Sequence, residues 1–331
     1  MMKLSRRQLL GGVAAGALVG LPAFAQEKTV IKMGWTTSDG AQDPYAIAAR
    51  AFKAEVEKRS NNRIEVQFFP NRALGDERAM IDGMRLGTVD AGVITNAVIA
   101  QIEPAFQIID MPFLFKDEKQ AHSVLDGAVG KSLAQRLETK GVVALGYTEG
   151  GFRQMINNKK PVNAPADVQG VKYRVLQSPI YINLFTSLGG TAVPIAWGET
   201  FSAVQQGAVD GLEIPVAVID QNKYFEVTKY LSLTNHIYSM NGLLISKRVM
   251  DKLPEDLRKI VRDAATASIT TQRQQAGDNA RALVESLKGK GMQVNTVANV
   301  EPFRVAVRPM YENFKGQIGA DVVQEALKAV Q

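Results

Sequence analysis

An α/β fold is what this sequence predicts, and three observations predict it. The N-terminal third alternates strand and helix patterns as β-α-β-α-β, and helical crossovers of that kind imply parallel strands. Further on, short runs rich in β-branched and aromatic residues are bounded by turn formers, as strands are. From Pro254 to about Leu287 one helical pattern runs without interruption, on the order of 50 Å at 1.5 Å per residue, longer than a small domain is wide. With 331 residues, the chain can bury a substantial core and is long enough for two domains.

Residues 1–25 are expected to be a targeting segment. Lys3, Arg6 and Arg7 form a positive start, Leu9 to Leu21 is apolar and glycine-rich, and Ala23-Phe24-Ala25 is a cleavage site of the A-x-A kind. Ser5-Arg6-Arg7-Gln8-Leu9-Leu10 reads as a twin-arginine signal. The apolar run is too short to span a bilayer. These residues carry three of the chain's formal net charge of +6, which leaves +3 for the remainder. No Lys/Arg cluster is interleaved with aromatics, so nucleic acid is not an expected partner.

The first strand is Thr29 to Trp35. An amphipathic helix follows from about Tyr45 to Arg59, with Ala46, Ala49, Phe52 and Val56 on its apolar face. Ile64–Phe69 alternates as a strand, Asp76–Leu86 is a helix stopped by Gly87, and Asp90–Thr95 re-enters the sheet. Trp35 and Thr95 fall at strand ends, where open α/β sheets bind ligands, and both are expected in a site wall. For Trp35, core packing is the equal alternative. Glu118–Lys140 reads as one helix and Val142–Tyr147 as a buried strand, with a hinge near Glu149.

Two arginines then sit inside short apolar runs: Arg153 beside Phe152 and Met155-Ile156, and Arg174 within Val171–Leu176. From strand positions two guanidinium groups can converge on one crevice and hold a carboxylate through paired hydrogen bonds. The alternative is a structural ion pair, for which Glu149 and Asp167 are the nearby acids. Helices are expected at Tyr181–Leu188 and Glu199–Gln206, strands at Thr191–Pro194, Ala208–Glu213 and within Phe225–Tyr238, and helix again from Val300.

Several chemistries are excluded by composition. The chain has no cysteine, so disulfides, thiolate nucleophiles and Cys-type zinc sites are out. Its two histidines, His122 and His236, lack H-E-x-x-H spacing, so no metal site is expected. Serine-hydrolase, P-loop and dinucleotide fingerprints are missing, and no cofactor is expected. His122 reads as a surface helix residue; for His236 a structural hydrogen bond and a ligand contact stand open.

Five stretches in order carry a resemblance: F-F-P with L-G-D-E-R-A-M (Phe68–Met80); G-F-R-Q with P-A-D-V-Q-G-V-K-Y-R-V (Gly151–Val175); L-G-G-T-A-V-P (Leu188–Pro194); F-S-A-V-Q-Q-G-A-V-D-G (Phe201–Gly211); and T-N-H-I-Y (Thr234–Tyr238) followed by L-P-E-D-L (Leu253–Leu257). With them the chain resembles the DctP-type extracytoplasmic solute receptors of TRAP transporters. The resemblance implies a two-lobed, periplasmic-binding-protein-like fold, each lobe a mixed sheet flanked by helices, with the long helix spanning both. It places residues 26–149 plus 239–279 in lobe I and 150–238 plus 280–331 in lobe II.

The same resemblance implies a periplasmic receptor, not an enzyme, that captures a small organic acid by hinge closure and delivers it to membrane-embedded permease subunits; a monomer is the default expectation for its oligomeric state. The rivals are an extracytoplasmic enzyme acting on a carboxylate and a module presenting its ligand to a sensor. By resemblance Arg174 makes the main salt bridge to the ligand carboxylate and Arg153 supports it. Trp197 falls where the family presents an aromatic face, and Glu213 belongs to the D-G-x-E-N segment. There Ile214 replaces the asparagine, so one polar contact is missing. Thr95 and Val98 stand where charged side chains would mark a sialic-acid receptor. The expected ligand is a carboxylate with an apolar or aromatic portion, or a sulfonate.

Overall fold

A computed structural model describes residues 28–331; the targeting segment expected at residues 1–25 lies outside the described residues. β1 (Thr29–Gly34), α1 (Pro44–Arg59), β2 (Ile64–Phe69), α2 (Glu77–Leu86) and β3 (Ala91–Thr95) form the predicted alternation. β1 pairs in parallel with both β2 and β3. Local chemistry sets the helix ends. Asp43 accepts from the N–H groups of Tyr45 and Ala46, and Pro44 opens α1, where a missing N–H costs nothing. Gly87 takes φ 83° to close α2.

Next come α3 (Asn96–Ile99), a 3-10 turn at Pro104–Asp110, α4 (Glu118–Asp126), α5 (Ala128–Glu138) and β4 (Val142–Asn157). The single helix expected over 118–140 is therefore two. Gly127, with an extended backbone at ψ −158°, ends α4 and starts α5. Conversely, the two strands expected on either side of a hinge are one 16-residue strand. β4 crosses its glycines with register shifts at Ala144/Gly146 and Glu149/Gly151 instead of stopping at them.

β5 (Lys172–Val175), α6 (Pro179–Ser187), β6 (Thr191–Pro194), α7 (Trp197–Gln205), β7 (Gly211–Pro215), α8 (Val216–Gln221), β8 (Tyr230–Leu233) and β9 (Tyr238–Ser246) follow. α9 (Lys247–Lys252), the 35-residue α10 (Glu255–Gly289), β10 (Gln293–Thr296) and α11 (Glu301–Val307), α12 (Pro309–Ile318) and α13 (Ala320–Ala329) complete the chain. The sheet order is β2-β1-β3-β9-β4-β7-β5-β6. β4 joins its halves: residues 142–152 pair with β9, and residues 153–157 pair with β7 and β8.

The fold is two-lobed, and α10 runs past both halves. Leu257, Val261 and Ala265 are buried with β1, α1 and Phe52; Leu283 and Leu287 are buried with β7 and α8. A third core joins α4, α5 and α6 to the C-terminal helices. Among the described residues no helix is long and apolar enough to cross a membrane.

Candidate functional site

Where the two halves of the sheet meet, a small cavity is lined by Arg153, Arg174, Glu77, Tyr45, Thr95 and Trp197, among others. Of the residues expected at the site, Arg153, Arg174, Trp197, Ile214 and Thr95 line it together. Glu213 and His236 stand behind Arg153, and Trp35 lies elsewhere. Its indole is fully buried in the β1–α1 core, edge-on to Phe68 at 5.4 Å, and Nε1 donates to the Ser38 carbonyl. Trp35 is a core residue because the bulk of its ring fills the space under β1, while the turn after it carries Thr36 and Thr37 to the cavity.

Arg153 does not pair with Glu149 or Asp167. β4 and β7 run antiparallel with Met155 opposite Glu213, and Arg153 Nη2 donates to Glu213 Oε1 at 2.8 Å and to its carbonyl at 2.6 Å. Nε also reaches Glu213 Oε2, and Nη1 donates to Ser239 Oγ at 3.2 Å. His236 continues the chain: Nε2 lies 3.2 Å from Glu213 Oε2 and Nδ1 lies 2.7 Å from Thr234 Oγ1. Burial alone would raise the Glu213 carboxyl, but the Arg153 charge and the His236 hydrogen bond hold it below its ordinary range. Burial lowers His236. His236 is thus neutral at neutral pH and serves as a structural partner, and the charge of Arg153 is matched within the protein.

Arg174 is different. It is buried on β5, Nε donates to the Ile195 carbonyl at 2.9 Å, and Cζ lies 5.9 Å from the Trp197 ring. Nη1 has no hydrogen-bond partner among the described residues. Burial depresses its pKa to about 10, the mark of a cation without an adjacent anion.

Sequence reasoning missed Tyr45 and Glu77. Glu77 Oε1 accepts from Thr95 N and Thr95 Oγ1, both at 2.9 Å, and Tyr45 OH lies 2.7 Å from the same hydroxyl. Burial raises Glu77 to about 7. In the sequence Glu77 looks like an ordinary first-turn acid of a helix. Its position directly after the turn that follows β2, at a carboxyl-end strand edge, was the available signal.

The lining therefore offers one unmatched cation on Arg174, one acid near neutrality, the hydroxyl groups of Thr36, Thr37, Tyr45, Thr95 and Ser239, and apolar surface from Trp197, Ile214 and Leu176. The free volume is about 30 Å³, room for roughly one water. An acid of several carbons fits only if the walls part. A larger hollow of about 490 Å³ borders α10 and β4, but neither arginine lines it. Also unlike the expectation, His122 is not a free surface residue: Nε2 lies 2.7 Å from the buried Glu149. Among the described residues no group of three His, Asp or Glu could hold a metal ion.

The model of the bacterial extracellular solute-binding proteins, family 7 (DctP), matches residues 36–317. A solute-binding protein of Verminephrobacter eiseniae is 36% identical over 93% of this chain and 91% of its own length. A TRAP periplasmic solute-binding protein from Polaromonas sp. JS666, solved bound to D-erythronate, is 38% identical with TM-score 0.87, covering 91% of this chain and 98% of that one. The sugar acid binding protein of Advenella mimigardefordensis, in complex with galactonate, is 33% identical with TM-score 0.89, covering 92% and 98%.

Proposed function

Because the chain belongs to family 7 of the bacterial extracellular solute-binding proteins, we propose that it is the periplasmic receptor of a TRAP transporter and takes a small hydroxylated monocarboxylate. The observation that carries this is the unmatched, buried Arg174 facing Glu77 across one cavity. With Arg153 neutralised by Glu213, the site complements one negative charge. The carboxylate would accept from Arg174 Nη1, and hydroxyl groups would donate to Glu77 and exchange hydrogen bonds with Tyr45. Trp197 and Ile214 would cover the carbon chain. A second carboxylate would meet Glu77, an acid that resists a like charge. The relatives solved with D-erythronate and galactonate support this class of ligand.

Binding proceeds by hinge closure. The anion reaches Arg174, the opposite wall folds over it, and exclusion of water strengthens the ion pair. We place lobe I at residues 26–149 plus 239–279 and lobe II at 150–238 plus 280–331, with residues 1–25 removed on export. A receptor returns its ligand unchanged, and recovery of a converted acid would favour an enzyme instead.

The test is thermal unfolding with D-erythronate, galactonate, succinate and neutral erythritol. A ligand at about 1,000 times its Kd adds about 4 kcal/mol to the folded state. Stabilisation by the hydroxylated monocarboxylates, none by erythritol and little by succinate is the expected pattern. Equal stabilisation by erythritol would remove the anion from the account.

A further inference from the structure

Beyond the Thr36–Trp197 wall of the ligand cavity lies a second hollow, of about 250 Å³, lined by Asn71, Arg72, Gly198, Phe201, Asn222 and Tyr224 together with those two wall residues. Thr36 and Trp197 thus face both spaces. We propose that this hollow is the antechamber through which the ligand passes, and that Arg72, seated on Gly198, is its gate.

Three observations carry the proposal. First, the seat is made by the lack of a side chain: a Cβ on Gly198 would stand 1.7 Å from Arg72 Nη1 and 2.6 Å from Cζ. The Nη1 end of the guanidinium therefore abuts the start of α7, in the place where any other residue's side chain would begin. Second, the mount is rigid while the arm is free. Asn71 and Arg72 both take left-handed backbone angles, φ 52° and 64°, in a turn whose N–H groups donate to Thr37 and Trp35 carbonyls at 3.1 and 3.2 Å. That turn is tied to the strand end that supplies Thr36 and Thr37 to the cavity. The side chain is 44% exposed, and its ion pair is a loose 3.8 Å contact with Asp76. Such a side chain can swing aside without moving its backbone. Third, the same rim closes elsewhere by direct bonds: Ser38 N donates to the Asn222 side-chain oxygen at 3.2 Å, and Ser38 Oγ donates to the Gln221 carbonyl at 3.3 Å.

A positive gate suits an anionic ligand. Arg72 attracts the acid into the antechamber, yields it to the unmatched Arg174, and settles back on Gly198 as the walls meet. Its effect falls on the rates of capture and release, while the final contacts belong to the inner cavity. This inference rests on the receptor reading above.

The experiment is stopped-flow tryptophan fluorescence with D-erythronate and galactonate, comparing wild type, Arg72→Ala and Gly198→Ala at two salt concentrations. Arg72→Ala removes both charge and cover; Gly198→Ala displaces the guanidinium and keeps its charge. Release about five-fold faster or more is expected in both. The salt dependence of capture should be lost in Arg72→Ala and retained in Gly198→Ala. Unchanged release in both variants overturns the gate. Should wild type bind neither acid, that ligand assignment falls, and the gate is judged on acrylamide quenching of Trp197, since Trp35 is buried. Greater quenching in both variants supports it, and equal quenching in all three proteins overturns it.

Discussion

Asp43, Glu77 and Asp110 are acids held inside the protein, and burial raises them to about 6, 7 and 7 respectively. An acid whose folded pKa exceeds its ordinary value near 4 binds more protons in the folded state. Its stabilising share is complete below about pH 4 and is lost as the pH rises through about 7. Resistance to urea should accordingly be lower at pH 8 than at pH 5.5. Asp110 is the cleanest probe, because it lies outside the cavity lining and its Oδ1 accepts from Tyr181 OH at 3.2 Å. Asp110→Asn keeps an oxygen for that bond and should shrink the pH difference by about 2 kcal/mol; an unchanged profile would place the titration elsewhere. At this scale the arginines were legible because a guanidinium inside a short apolar strand must have a reason. Which one would be matched internally was not legible, since that depends on the register that sets Glu213 beside Arg153. Trp35 was ambiguous for a similar reason: a strand end points equally well at core and crevice.

Among the elements, β4 and α10 hold the two halves of the molecule together. Their bond is concentrated at Gln272, which is fully buried. Its Oε1 accepts from Glu149 N at 2.8 Å, and its Nε2 donates to the Glu149 carbonyl at 2.7 Å and to the Pro44 carbonyl at 3.3 Å. Gln272→Ala would leave the Glu149 peptide unpaired at the β4 register shift. A loss of about 1–3 kcal/mol in urea unfolding is expected. A change below about 0.5 kcal/mol, the range of neutral surface substitutions, would contradict that role. The long helix was readable from its unbroken apolar period and the lack of an internal proline. The continuity of β4 was not, because glycine is as compatible with a bulge as with a turn. β9 was hidden for another reason: buried on both faces, Tyr238–Ser246 shows no alternation.

For the whole molecule, a cavity with room for about one water and a rim already bonded across Ser38 and Asn222 describe walls drawn together. Closure of this kind buries Arg174, and a buried cation without an anion is costly. Arg174→Ala should therefore leave the ligand-free protein as stable as wild type, or more so, in thermal unfolding. A marked fall in Tm would mean that Arg174 is a structural residue. The order of the five motifs made the overall architecture legible, while the cavity's charge balance needed three dimensions. One cation is matched on β7, one is unmatched on β5, and the acid opposite comes from α2, so no local stretch of sequence contains the site.

The most direct test of the central claim is a calorimetric titration of wild type and Arg174→Ala with D-erythronate and galactonate. The account predicts one-site binding to wild type and a loss of about 100-fold or more in the variant, the cost of removing one partner of a buried charge pair. Affinity in Arg174→Ala within about two-fold of wild type, under 0.5 kcal/mol, would show that the anion is held elsewhere.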